Sequence, residues 1–119
     1  MKELSAIPQK GFNFGDTVVI QGVGSLGMCH LIKARMLGAG NIIAIDISKY
    51  RLNMALQFGA DYVFNVEKTM QEERVAHVKE MTGGRGADLV IECVGSSKVL
   101  HDGLEMYVRE EHIWKQEIL

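Results

Sequence analysis

Residues 17–27 read Thr17-Val18-Val19-Ile20-Gln21-Gly22-Val23-Gly24-Ser25-Leu26-Gly27. The first five are short, β-branched in the main and bounded by glycine, the pattern of a buried strand. The next six fit G-x-G-x-x-G, and a helical pattern runs from Leu26 to Leu37 until Gly38-Ala39-Gly40 stops it. Alone the hexamer is a weak signal. Placed directly after a strand and at a helix start, it carries a mechanism. Gly22 permits a tight turn, Gly24 lets the backbone approach a pyrophosphate, and Gly27 lets the helix pack closely on the strand. Free N–H groups at the helix start, aided by the helix dipole, then meet the anion. A glycine-rich turn without a ligand is the plain alternative.

Working outward, strands and helices alternate. Asn41-Ile42-Ile43-Ala44-Ile45-Asp46 is apolar until its last residue, a second strand. Ser48 can cap a helix from Lys49 to Phe58, with Leu52, Ala55 and Leu56 on one face and Gly59 as its stop. Tyr62-Val63-Phe64-Asn65 is a third strand, a charged helix spans about Met70 to Met81, and Leu89-Val90-Ile91-Glu92-Cys93 is a fourth strand before a helix near Ser97. Continuously apolar strands alternating with helices predict an α/β fold, a doubly wound parallel sheet covered on both faces. Right-handed crossovers make the Rossmann-like order 3-2-1-4 the simplest topology. The 119 residues form a single domain, with no repeats or linkers.

Asp46 ends the second strand about twenty residues beyond the glycine motif. An acid there accepts hydrogen bonds from adenosine ribose hydroxyls and repels a 2′-phosphate, which favours NAD(H) over NADP(H). Lys49 and Arg51 soften that preference, since a basic residue can accommodate a phosphate. Asp46 could also be a helix cap or a solvated strand end. A methyltransferase using S-adenosylmethionine shares the glycine loop and the strand-two acid, but does not need the third glycine.

Net charge is −2 and the hydrophobic fraction is 47%, so nothing points to nucleic acid or an anionic membrane as partner. No apolar run approaches a bilayer span and the N-terminus has no secretory pattern, which predicts a cytoplasmic chain. Cys29 and Cys93 cannot build a tetrahedral zinc site by themselves and are expected to be buried reduced thiols. His30, His77, His101 and His112 lack metal spacing and are expected at the surface. No catalytic or metal-binding residue is assigned.

From Phe14 to Gly27 the chain resembles the entry to the coenzyme domain of medium-chain, zinc-type alcohol dehydrogenases. Ala44-Ile45-Asp46, Phe58-Gly59-Ala60-Asp61-Tyr62-Val63, Gly84-Arg85-Gly86-Ala87-Asp88-Leu89-Val90 and Glu92-Cys93-Val94-Gly95 extend the likeness over about residues 11–104. The resemblance implies that Gly22, Gly24, Gly27 and the Ser25 and Leu26 amides hold the pyrophosphate of NAD. It further implies that Asp46 and Arg51 hold the adenine ribose, and that Cys93, Val94 and Gly95 lie under the nicotinamide side.

The family carries a substrate domain with zinc ligands ahead of this region, and fifth and sixth strands after it. Both are missing here, so a partial dinucleotide-binding domain without turnover of its own is expected. Residues 105–119 diverge. Codons can be chosen for MYVREEHIWKQEIL whose shifted frame spells VCQGGTYLEAGNF, similar to the family's Gly-Gly turn and fifth strand, as loss of one base after Met106 would produce. Leu100, Leu104, Tyr107, Trp114 and Ile118 lie near one helical face, so the fourth helix is expected to run into the tail. The bare fourth strand and the apolar tail would then offer a homo-oligomer contact. A nucleotide-sensing interaction module and a non-functional product of a frameshifted gene are the other readings.

Overall fold

The computed structural model describes residues 13–94 together with residues 102, 103, 105 and 106. Gly95, the start of the fourth helix, the tail beyond residue 106 and residues 1–12 lie outside that range. The elements run β1 (Thr17–Gln21), α1 (Ser25–Met36), β2 (Asn41–Asp46), α2 (Lys49–Phe58), β3 (Tyr62–Asn65), a 3-10 turn (Val66–Lys68), α3 (Gln71–Met81) and β4 (Leu89–Glu92). All strand pairs are parallel and the order is β3-β2-β1-β4, as the alternation predicts.

A sheet covered on both faces needs side chains pointing both ways to be apolar, and β1 and β2 show this directly. Val18, Ile20, Ile42 and Ala44 pack on one face with Leu31 and Ala34 of α1 and Leu52 and Ala55 of α2. Val19, Ile43 and Ile45 point to the other face, onto Val78 of α3 and Met106. Met106 also ties its carbonyl to the Ala87 amide at 2.7 Å, holding the helical residues against the entry to β4. No helix among the described residues is long and apolar enough to cross a membrane.

Ser48 caps α2 by accepting the Arg51 amide at 3.2 Å. Arg35 ties the C-terminal end of α1 to its neighbours through the Ala39 and Gly59 carbonyls and Asp61.

The burial of several helix residues departs from expectation. Residues 27, 30, 31 and 34 form the buried face of α1, so Leu37 and Cys29 are exposed and His30 is buried. Cys29 is therefore not the buried thiol expected, nor His30 a surface residue. The reason is Gly27: a Cβ there would strike the Gly22 carbonyl oxygen, and this backbone approach sets the rotation of the whole helix. His77 is half-buried, edge-on to Tyr62 and Phe64 with ring centroids 4.8 and 5.1 Å away. Leu56 is exposed, leaving Leu52 and Ala55 as the buried face of α2.

Candidate functional site

The parallel registers set the site. Gln21 lies opposite Ile45 on one side and Glu92 on the other, and Asp46 lies opposite Asn65. The residues that follow these strand ends therefore meet at one edge of the sheet, where doubly wound folds bind ligands.

Gly22 turns the chain with φ +96°, a conformation open to glycine, and its amide donates to the Ile45 carbonyl at 2.7 Å. A Cβ on Gly22 would lie 2.8 Å from a Val94 methyl, so the turn sits against the end of β4. Gly24 is the N-cap of α1, and the first helical bond runs from the Met28 amide to its carbonyl at 2.8 Å. The Ser25 and Leu26 amides have no acceptor among the described residues, and the first turn carries no acidic side chain. Free donors at a positive helix end suit an anion.

Asp46 is buried and faces this turn. One carboxylate oxygen accepts the Val23 amide at 2.9 Å, and the other accepts the Ile47 and Ser48 amides at 2.7 and 3.0 Å. The aspartate thus locks the glycine turn to the start of α2. Three of its roughly four lone-pair positions are used, and the remainder can accept from a hydroxyl. Arg51 projects to Gly24, with its guanidinium carbon 3.7 Å from where a Gly24 Cβ would be.

Gly22, Gly24, Asp46, Arg51, Cys93 and Val94 line one cavity of about 360 Å³, whose further walls include Ile45, Ile47, Val66 and Arg74. Ser25 borders a neighbouring depression with Val23, Tyr50 and Arg51. Gly27 lies under the turn as packing, and Gly95 is outside the described residues. Burial pushes the Cys93 thiol up to about 12, with Glu92 beside it adding to the effect, so this cysteine is a wall and not a nucleophile at neutral pH.

Ile47, Val66 and Arg74 were not legible as site residues. Ile47 and Val66 each follow a strand end at the same edge as the glycine turn, a positional signal that could have found them. Arg74 carried none.

The family model for zinc-binding dehydrogenases matches residues 25–111. The chain belongs to the zinc-binding dehydrogenase family. It is 42% identical over 91 residues to a 5-exo-hydroxycamphor dehydrogenase of Pseudomonas putida, covering 76% of this chain and 25% of that protein. It is 38% identical over 96 residues to an L-threonine 3-dehydrogenase of Bacillus licheniformis, covering 81% of this chain and 27% of that one. Among solved structures, an alcohol dehydrogenase of Thermotoga maritima superposes with a TM-score of 0.82 at 42% identity, covering 89% of this chain and 28% of that one. The chain thus spans about a quarter of the length of these dehydrogenases. The family's name implies a metal, but among the described residues no group of three or more His, Cys, Asp or Glu is placed to hold one.

Proposed function

We propose that the chain is the NAD(H)-binding unit of a zinc-type alcohol dehydrogenase-like oxidoreductase. What supports this most is one arrangement: Asp46 clamps the glycine turn while the Ser25 and Leu26 amides, which follow the cavity-lining Gly24, stay without acceptors among the described residues. A diphosphate would take those amides, with Arg51 adding positive charge. Asp46 would accept from a ribose hydroxyl with its remaining lone pair and disfavour a 2′-phosphate by like charge, which supports NAD(H) over NADP(H). Bound NAD would supply the hydride acceptor. Cys93 and Val94 would wall the cleft toward the nicotinamide, and the chain's share is binding and orientation, without turnover on its own. Two free thiols fit a reduced, cytoplasmic setting.

Calorimetric titration of the 119-residue protein with NADH and NADPH tests this, alongside Asp46→Ala. NADH binding that is tighter than NADPH binding and is weakened in D46A is expected. Absence of NADH binding at millimolar ligand refutes the cofactor reading, and measurable alcohol dehydrogenase turnover refutes the division of labour.

A further inference from the structure

Arg74 is 5% exposed, on the first turns of α3. A buried guanidinium is costly unless its charge and its donors are met. Here Nη1 donates to the Thr69 carbonyl at 2.9 Å and the Thr69 hydroxyl at 2.7 Å, and Nη2 donates to the Gln71 side-chain oxygen at 3.1 Å. All three acceptors are neutral. Arg74 makes no ion pair among the described residues. Three of its five N–H donors are used, which leaves Nε–H and one Nη2–H without an acceptor among the described residues. Gln71 is itself held by the Asp102 carbonyl and the Glu105 carboxylate, both at 2.9 Å, so the guanidinium is fixed from both sides.

This fixed cation lines the same cavity as the glycine turn and Asp46. In the order β3-β2-β1-β4, the end of β3 lies one strand further from the glycine turn than Asp46 does. A nucleotide with its phosphates at Gly24 and its sugar at Asp46 carries its base onward to Ile47 and Val66. Arg74 lines the same cavity, as does Asp102. Exposed apolar side chains, Ile47 and Val66, in a cavity that also holds a fixed planar donor suit a flat heterocycle with ring-nitrogen acceptors, which guanidinium can hydrogen-bond or stack upon.

We propose that Arg74 is a base-specificity residue, donating to or stacking on the purine of a bound nucleotide. This rests on the nucleotide reading of the same cavity. The test compares ADP with CDP by calorimetry on the full chain, in wild type, Arg74→Met and Arg74→Lys. Wild type is expected to prefer ADP. In R74M that preference falls by roughly tenfold, the size of a lost hydrogen bond to a charged group. R74K, which keeps the charge without the planar fork, falls part of the way and carries the test if R74M does not fold. A purely structural role for Arg74 would weaken both diphosphates alike and leave their ratio unchanged, which overturns the proposal while the nucleotide reading stands. Failure of wild type to bind either diphosphate removes both.

Discussion

Gly27→Ala gives a test whose sign decides the matter. In a helix with open space around it, glycine to alanine stabilises by roughly 0.5–1 kcal/mol, because glycine loses more freedom on folding. At Gly27 the added methyl meets backbone: it strikes the Gly22 carbonyl oxygen and lies 2.8 Å from the Gly22 carbonyl carbon. Restoring an ordinary carbon–carbon contact near 3.5 Å moves α1 by about 0.7 Å, with the oxygen demanding more. Overpacking of this kind costs about 1–3 kcal/mol, so the net effect is a loss of about 1–2 kcal/mol. At roughly 4–8 °C per kcal/mol for a domain near this size, the thermal midpoint falls by about 5–15 °C. Differential scanning fluorimetry or calorimetry reads it. Gly24→Ala supplies the contrast. Its φ is −73° and its Cβ meets no atom nearer than the Arg51 guanidinium at 3.7 Å, so the fold tolerates it while the methyl intrudes on the cavity that Gly24 lines. G27A should lower the midpoint and G24A should lower NADH affinity with the midpoint nearly unchanged. A G27A protein that melts at or above wild type refutes the close approach of α1 to the glycine turn, and with it the geometry of the cradle.

Three other outcomes follow from the same geometry. Asp46→Asn leaves one oxygen to serve three backbone amides and can turn an NH2 toward the Val23 amide, so chemical denaturation should show a loss of about 1–3 kcal/mol even without ligand; an unchanged midpoint refutes the clamp. Cys93, with its thiol raised to about 12, should resist iodoacetamide at pH 8 while exposed Cys29 reacts, as mass spectrometry of the digested protein reads; the protonated form persists past the ordinary thiol range near 9 and is lost only as pH rises toward 12, so alkylation of Cys93 in folded protein at pH 8 contradicts its burial. Arg35→Met removes donors to Ala39, Gly59 and Asp61 together and should destabilise by about 1–2 kcal/mol, whereas the exposed Arg35–Asp61 ion pair is worth little by itself; a salt titration that abolishes the difference between R35M and wild type would show that the ion pair, not the carbonyl bonds, carries the effect.

β1 and β2 were legible because burial on both faces leaves little choice of residue, and β3, which is only half-buried, because its short apolar run is bounded by turn residues. β2 and β3 begin and end where the apolar runs do, and β4 ends one residue early, at Glu92, before Cys93. Helix existence was equally plain, since Ser48, Gly38 and Gly59 punctuate the chain. The burial of individual helix residues was not. On α1, Cys29 was expected inside and His30 outside, and the structure has the reverse; the close packing of Gly27 on the glycine turn, which the motif announces, brings residues 27, 30, 31 and 34 to the sheet. His30 is buried as a consequence of that packing, not of its own hydrophobicity.

The candidate site divides along the same physical line. Gly22, Gly24 and Asp46 are constrained by local backbone geometry at strand ends, so their spacing together with the flanking strand and helix patterns announces them. Arg74 is constrained by what three separate segments leave open between them. Its bonding partners Thr69 and Gln71 are near neighbours in sequence, and such a cluster on a charged helix reads as solvated surface. The chain reversal that brings Asp102 and Glu105 onto Gln71 is a long-range contact that no local pattern records. If the cavity takes a nucleotide as proposed, a cation with donors to spare at its wall is where this chain's own specificity would reside, because the glycine turn would engage the phosphates, a part that dinucleotides share.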